Sequence, residues 1–223
     1  MRRFLLLPVV LSLAALVPVV PAGAADKPLC SVNVPAAVSA TSPYTAVWPT
    51  FTGCSSYSLV RWGISAKADG PMSERGAFEV KNGVSQGAWR YRDSYPTGTY
   101  YVANDNDAIS PSDPNQNSTT IVVKFGSRIT MTGYRQDHLK VPLTGIATYY
   151  NASANAFRRW AHRPVAISYS NCEGCPWHFL AMDKTDAYGK YSLGAVSETA
   201  RFYRAKVGET ATTWSSTSAP VNY

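Results

Sequence analysis

Residues 95–105 read YPTGTYYVAND, and this stretch decides the fold class. A turn signal from Pro96 to Gly98 runs directly into aromatic and β-branched residues, which are typical of a strand. Similar runs recur on both sides at intervals of about ten residues, separated by clusters of Gly, Pro, Asn, Asp and Ser. No window shows the apolar stripe of a helix. The pattern therefore predicts an all-β protein of the sandwich type.

Six strands are predicted in the first half. They are LCSVNV (29–34), SLVRWGIS (58–65), AFEVK (77–81), GAWRYR (87–92), TYYVAND (99–105) and TTIVVKF (119–125). Apolar residues alternate along them, so Val60, Trp62 and Ile64 would share one face of a strand. We expect that face to lie in a core.

The strand pattern restarts after residue 126. Six more strands are predicted there: RITMTGYR (128–135), VPLTGIATYY (141–150), PVAISYS (164–170), WHFLAMD (177–183), GKYSLGAV (189–196) and ARFYRAKV (200–207). The chain is longer than the usual single domain of about 100 to 150 residues. We therefore predict two antiparallel β-sandwich domains in tandem, residues 26–126 and 127–223.

Two stretches resemble known β-sandwich families. YPTGTYYV (95–102) resembles the tyrosine corner of immunoglobulin-like domains, in which the Tyr100 phenol would bond to backbone between the sheets. TDAYGKYS (185–192) resembles a hairpin of the prealbumin-like, carboxypeptidase-regulatory-like domains of secreted proteins, particularly actinobacterial ones. That resemblance implies that Asp186 bonds turn amides and that Gly189 supplies an unusual backbone conformation. It implies a spacer or interaction module and no catalytic residues.

The first 25 residues are predicted to be a signal peptide. Two arginines precede an apolar run that ends at Val20, and small residues fit cleavage after Ala24 or Ala25. We expect the mature chain to be secreted, with no membrane span after cleavage.

Four cysteines in an exported chain indicate two disulfides. Three pairings are possible. The simplest is one pair in each predicted domain, which joins Cys30 to Cys54 and Cys172 to Cys175.

The stretch SNCEGCPWHF (170–179) has three interpretations. It has the spacing of a redox dithiol, and His178 could complete part of a zinc site. Glu173 and Gly174, however, suit the centre of a tight turn between two strands. A hairpin disulfide is the favoured interpretation, and we predict no metal and no cofactor.

An acidic loop, NDNDAISPSDPNQN (104–117), gathers oxygen ligands that calcium prefers. Asp105, Asp107 and Asp113 nevertheless lack the ligand order of a calcium-binding hand. We interpret the loop as a solvated connection, with calcium binding and peptide or glycan contact as alternatives.

The candidate contact region is ATYYNASANAFRRWAHR (147–163), in which aromatic and basic residues are interleaved. Its candidate binding residues are Tyr149, Tyr150, Phe157, Arg158, Arg159, Trp160 and Arg163. Charge favours this half: residues 26–126 carry eight basic and eight acidic residues, whereas residues 127–223 carry eleven and six. The alternative is that Trp160 caps the sandwich and the arginines form a solvated loop.

No sequence pattern of a catalytic nucleophile, zinc protease or phosphate loop is present. The sequence therefore predicts a non-enzymatic secreted protein that acts by surface contact. The alternative is a module that binds carbohydrate or an anionic cell-wall polymer. We expect the partner to be wall polysaccharide or another secreted protein, not nucleic acid, because no strand carries the repeated basic and aromatic positions of a recognition sheet.

Calcium should leave the melting temperature essentially unchanged, because the acidic loop lacks the ligand order of a known site. Differential scanning calorimetry at millimolar calcium measures this. A saturable rise of several degrees that Asp105→Ala with Asp107→Ala abolishes would contradict the prediction.

Overall fold

The computed structural model describes residues 29–68, 70–71, 73–105 and 115–223. Within them the chain forms 21 strands and one 3₁₀ turn, η1 (Ala152–Ala154), which confirms the predicted all-β class. The predicted signal peptide (1–25) lies outside the described residues, as do Asp107 and Asp113. None of the helical structure in the described part of the chain is long and apolar enough to cross a membrane.

The first half contains strands β1 to β11. They are β1 (Leu29–Asn33), β2 (Ala37–Ala40), β3 (Tyr44–Val47), β4 (Thr50–Thr52), β5 (Leu59–Ser65), β6 (Ala77–Lys81), β7 (Val84–Ser85), β8 (Trp89–Arg92), β9 (Gly98–Asn104), β10 (Asn115–Gln116) and β11 (Thr119–Phe125). One sheet has the order β2-β11-β9-β5-β6-β7, a second has the order β10-β1-β4, and β3 pairs with β8 in a two-stranded ribbon.

One apolar core lies between these layers. Val60, Trp62 and Ile64 of β5 are fully buried in it, which confirms the predicted alternation. The ribbon contributes Trp89 and Tyr91 to the same core. The predicted Cys30–Cys54 disulfide is present and ties β1 to the segment after β4.

The tyrosine corner is confirmed. The Tyr100 hydroxyl donates a hydrogen bond of 2.6 Å to the carbonyl of Pro96, four residues upstream. Tyr91 makes a second bond of this kind, donating to the Tyr95 carbonyl at 2.9 Å. Both phenols therefore satisfy their polar ends inside the core.

The second half contains strands β12 to β21. They are β12 (Ser127–Ile129), β13 (Thr132–Gly133), β14 (Lys140–Asn151), β15 (Ala156–Arg159), β16 (Pro164–Ser170), β17 (His178–Lys184), β18 (Lys190–Val196), β19 (Phe202–Val207), β20 (Ser216–Thr217) and β21 (Val221–Asn222). In one sheet β12, β13, β15 and β18 all pair with the long strand β14. The other has the order β17-β16-β19-β20, and β21 also pairs with β19.

A separate core fills the space between these two sheets. It is built from Val141 and Leu143 of β14, Val165 and Ile167 of β16, and neighbours in β18 and β19. Each half of the described chain therefore has a core of its own, as expected for two sandwiches in tandem.

The predicted strand at 128–135 was wrong in one respect, because it divides into β12 and β13. The register with β14 is the same on both sides of the break, since Ile129 pairs with Ala147 and Thr132 with Thr144. Between these pairs the Thr130 carbonyl lies so close to Gly145 that a Cβ atom there would not fit, and Met131 is buried in the core.

Both predicted turns of the second half are present. The Asp186 carboxylate accepts hydrogen bonds of 2.8 Å from the amides of Tyr188 and Lys190, and Gly189 has a φ of +72°. The Cys172–Cys175 disulfide closes the β16–β17 hairpin, with Gly174 at a φ of +78°. The hairpin-disulfide interpretation is confirmed.

The prediction of purely antiparallel sheets was incomplete, because β1–β10 and β2–β11 are parallel pairs. Strands β2, β3 and β4 were not predicted. They are only three or four residues long, and their pairing partners lie far away in sequence. Such strands depend on tertiary pairing more than on local propensity.

A segment near the C-terminus, residues 209–214, joins the second half to the first. The Trp214 indole donates to the Val38 carbonyl at 2.8 Å, and the Trp214 amide donates to the Phe125 carbonyl at 2.9 Å. The Lys124 ammonium lies 4.7 Å from the centroid of the Trp214 ring and 3.1 Å from the Glu209 carboxylate. These contacts hold the two cores side by side.

Trp214→Ala should lower the free energy of unfolding by roughly 2 kcal/mol, about half the cost of truncating a fully buried aromatic residue. It should also expose residues 126–127 to protease, because the joint loses its hydrogen bond to Val38. Urea denaturation and limited proteolysis measure the two effects.

Trp48→Ala is the matched control, because the Trp48 side chain is exposed. We expect the control to change stability by less than about 0.5 kcal/mol. Equal effects of the two substitutions would contradict the proposed importance of the joint.

Candidate contact site

The predicted contact region at 147–163 forms β15, η1 and the end of β14, and its aromatic rings are mostly buried. Tyr150 is 1% exposed and Trp160 is 9% exposed. Trp160 packs in the second core against Tyr149, with ring centroids 5.8 Å apart. Tyr150 instead lies between the halves, where its hydroxyl donates to an Asp93 carboxylate oxygen at 2.8 Å. Neither Tyr150 nor Trp160 is available to stack on a ligand.

The basic residues of this region point in different directions. Arg163 stacks over the Trp160 ring at 4.9 Å. Arg158 pairs with Tyr149 and Arg159 with Thr148 across β14 and β15. Since neighbouring residues of a strand project to opposite faces, the two exposed arginines do not share one surface. Phe157 is half-buried beneath the guanidinium of Arg128, which lies 3.8 Å from the ring centroid.

The ribbon of β3 and β8 carries a different basic and aromatic surface. Val47 pairs with Trp89 and both side chains face the core, so the alternate pairs face outward. The outward pairs are Tyr44 with Arg92 and Ala46 with Arg90.

Trp48 extends this surface beyond the end of β3. Because it precedes Pro49, its backbone favours an extended conformation, and alternation directs its side chain outward. Tyr44 is 62% exposed and Trp48 is 68% exposed. We call the surface formed by Tyr44, Trp48, Arg90 and Arg92 the β3–β8 face.

A groove of about 560 Å³ runs beside the β3–β8 face. Its lining residues are Tyr44, Arg75, Gly76, Ala77, Ala88, Trp89, Arg90, Arg92 and Tyr95. Trp89 forms part of its floor and donates from its indole nitrogen to the Arg75 carbonyl at 2.8 Å. Gly76 lies directly against that ring, since a Cβ atom there would be 3.1 Å from Trp89 Cδ1.

Guanidinium groups outnumber carboxylates around this groove. Arg75 pairs with Glu74 at 3.1 Å and lies 5.0 Å from the centroid of the Tyr95 ring. Within the described part of the chain, Arg90 and Arg92 form no ion pair with a carboxylate. The surface thus carries a local positive excess in the half of the chain that is neutral overall.

The sequence did not predict the β3–β8 face, because this face joins two segments about 50 residues apart. One part of it had a local sequence signal: WRYR (89–92) alternates aromatic and basic residues, which is typical of a strand with a buried aromatic face and a basic outer face. The pairing of Tyr44 with Arg92 had no local signal.

A larger groove of about 820 Å³ lies on the second half, on the outer face of β13, β14 and β18. Hydroxyls of Thr132, Thr144 and Ser192 form a row across these three strands. Its two carboxylates are already engaged by backbone amides: Asp183 accepts from Ser192 at 2.7 Å, and Asp186 holds the neighbouring turn. Tyr191, its aromatic lining residue, is buried, so this groove offers weaker recognition than the β3–β8 face.

The other candidate ligand sets are engaged in structural contacts. All four cysteines form disulfides. The ring of His178 packs on Tyr169, with centroids 5.3 Å apart. Asp105 receives a hydrogen bond from Ser73 and pairs with Arg61 at 3.2 Å. Among the described residues, no three His, Cys, Asp or Glu side chains are placed to hold a metal ion.

Three solved structures resemble the chain distantly. The D0–D1 domain of intimin is 14% identical over 87% of this chain and 96% of its own, with a TM-score of 0.30. The human OSCAR ligand-binding domain is 10% identical over 89% of this chain and 100% of its own, with a TM-score of 0.30. The FN1–FN3 domains of chicken CNTN1 are 10% identical over 89% of this chain and 68% of their own, with a TM-score of 0.31.

No family model and no curated protein matches the chain. At TM-scores near 0.3 the structural matches carry no inference about its ligand or its site.

Burial of tyrosines makes the fold sensitive to alkaline pH. Burial raises the pKa of Tyr150 to about 12, and its hydrogen bond to Asp93 contributes to the same shift. Burial likewise raises the pKa of Tyr91 to about 12. An unfolded tyrosine loses its proton near pH 10. The unfolded state therefore binds fewer protons than the folded state between about pH 10 and 12, and stability falls as pH rises through that window.

Tyr150→Phe should lower stability by about 1 kcal/mol at pH 7, because Asp93 loses a hydrogen bond, yet it should flatten the decline between pH 10 and 12. Urea denaturation across this range measures both. The exposed Tyr188→Phe is the control and should leave the pH profile unchanged. A wild-type slope in the Tyr150 variant would refute the assignment.

Proposed function

We propose that this protein is a secreted, non-enzymatic protein that works by surface contact, and that the β3–β8 face is its principal contact surface. The observation that carries the proposal is the exposure of Tyr44 and Trp48 beside Arg90 and Arg92. Among the described residues these two arginines form no ion pair with a carboxylate, and the Arg92 guanidinium lies 6.0 Å from the centroid of the Tyr44 ring. Exposed aromatic and arginine side chains on one surface are typical of interaction sites.

An extracellular location is supported by two features of the chain. Both disulfides suit an oxidising compartment. The sequence of residues 1–25 has the pattern of a cleaved signal peptide.

The proposed domains are residues 26–126 and 127–223, each with its own core. The Trp214 and Tyr150 contacts span their boundary and would keep the two domains in one arrangement. A contact protein with such a joint could present its surface at a fixed distance and orientation from an attachment point.

A second candidate contact region is the exposed part of residues 147–163, where Arg158 and Arg159 project from opposite faces of β15. The positive excess of residues 127–223 favours it as a binding region for an anionic wall polymer. This region offers fewer exposed aromatic rings to a ligand than the β3–β8 face does, because Tyr150 and Trp160 are buried.

Binding of the full mature chain to purified wall fragments and to secreted proteins tests the proposal, with surface plasmon resonance as the readout. Arg90→Ala with Arg92→Ala should weaken binding by about tenfold. Arg158→Ala with Arg159→Ala removes the same charge from the other domain and should have a much smaller effect. All four side chains are exposed, so melting temperatures should stay unchanged.

The reverse ranking of the two double variants would place the contact surface in the second domain. Failure to bind either class of material, or turnover of a bound polymer, would overturn the proposed function.

A further inference from the structure

We propose that the β3–β8 face binds an acidic polysaccharide whose sugar rings carry carboxylates. The inference rests on the proposed function, because it names the ligand of a protein that works by contact. In this half of the chain the sequence predicts glycan contact only as an alternative at the acidic loop 104–117, not on the β3–β8 face.

The arginines of the β3–β8 face and its groove indicate that the ligand carries negative charge. Arg90 and Arg92 project from the same side of β8, and Arg75 lines the adjoining groove. A guanidinium group offers two parallel N–H donors that match the two oxygens of a carboxylate. With Glu74 the only carboxylate paired to these arginines among the described residues, the face has unused capacity for ligand carboxylates.

The exposed rings of Tyr44 and Trp48 indicate that the ligand also contains sugar rings, because an aromatic ring can pack on the apolar C–H face of a sugar. Tyr44 and Trp48 are four residues apart on extended chain, which separates them by about 13 Å at roughly 3.3 Å per residue. One monosaccharide cannot contact both rings at that separation. A linked chain of sugar residues can, so the ligand is a polymer.

The groove is organised before any ligand arrives. The Ile64 amide donates to the Gly76 carbonyl at 2.9 Å, and the Arg75 amide donates to the Ile64 carbonyl at 2.9 Å. The Tyr95 amide donates to the Arg92 carbonyl at 2.9 Å. These bonds fix the backbone that carries Arg75 and Arg92, so the backbone of the groove requires little ordering on binding.

The same features disfavour other partners. A polymer of glycerol phosphate carries anions but no ring to place on Tyr44 or Trp48. A protein partner usually inserts an apolar anchor into a pocket, whereas the only aliphatic lining residues of this groove are Ala77 and Ala88. A sugar polymer with a carboxylate on each ring supplies rings and anions at the same short repeat.

Isothermal titration calorimetry of the full mature chain with polygalacturonate oligomers tests this inference. We expect saturable binding that weakens steeply as salt shortens the screening length from about 10 Å at 0.1 M to about 3 Å at 1 M. The methyl-esterified oligomer keeps the rings and loses the charge, and it should bind at least about tenfold more weakly.

Variants of the chain separate the two components of recognition. Arg90→Ala with Arg92→Ala should weaken binding by about tenfold or more, and Arg90→Lys with Arg92→Lys should restore only part of it, because lysine lacks the bidentate fork. Trp48→Ala should weaken binding several-fold without changing the salt dependence. Arg158→Ala with Arg159→Ala is the matched control and should bind as the wild type does.

Three further polymers test the ligand class: polyglutamate, poly(glycerol phosphate) and single-stranded poly-dT. If any of them binds as tightly as polygalacturonate, the site recognises charge, a peptide or nucleic acid instead, and the inference fails. Equal binding by wild type and the Arg90/Arg92 variants also overturns it. If the chain retains wall fragments or secreted proteins but not polygalacturonate, the inference fails and the proposed function stands. Failure to bind any of these materials overturns both.

Discussion

The candidate site depends on the burial of Trp89. Its ring occupies the first core, packs against Gly76 and donates a hydrogen bond to the Arg75 carbonyl. Because side chains alternate along a strand, this burial places Arg90 on the opposite side, in solvent. One strand thus supplies both a central part of the core and the cationic part of the surface. A change that displaced the Trp89 ring would therefore disturb stability and binding together.

The joint between the two sandwiches depends on buried aromatic side chains whose polar atoms are hydrogen-bonded. Tyr150 carries a polar phenol into a buried position, and burial of that kind is tolerated because the Asp93 carboxylate accepts a hydrogen bond from its hydroxyl. On the other side of the joint, Trp214 covers the edge of the first half and satisfies its indole nitrogen on the Val38 carbonyl. Tyr150, a candidate binding residue in the sequence, instead joins the two halves of the chain together with Trp214. Their polar ends make the attachment directional, which an interface of purely aliphatic residues would not be.

The contrast between the two basic and aromatic regions follows from strand geometry. At WRYR (89–92) aromatic and basic residues alternate, so each type collects on one face. At FRRW (157–160) the two arginines are adjacent, so they diverge, and Trp160 turns into the second core. Local composition is similar in the two stretches. The spacing of the charges, not their number, determines which stretch can form a coherent surface.

The sequence by itself determined the all-β class, the positions of most long strands, both disulfides, the tyrosine corner and the hairpin of Asp186. The strands depend on alternation and the two turns on local turn chemistry, which act between residues close together in the chain. The disulfides follow instead from an even number of cysteines in an exported chain, with one pair assigned to each half. Tertiary structure alone decided that Tyr44 lies beside Arg92, that Tyr150 is buried against Asp93, and that β2 pairs in parallel with β11. Short strands and interfaces are stabilised by partners that are distant in sequence. The contact surface could therefore be identified only from the assembled strands, because packing against distant neighbours decides whether a given aromatic ring is buried or exposed.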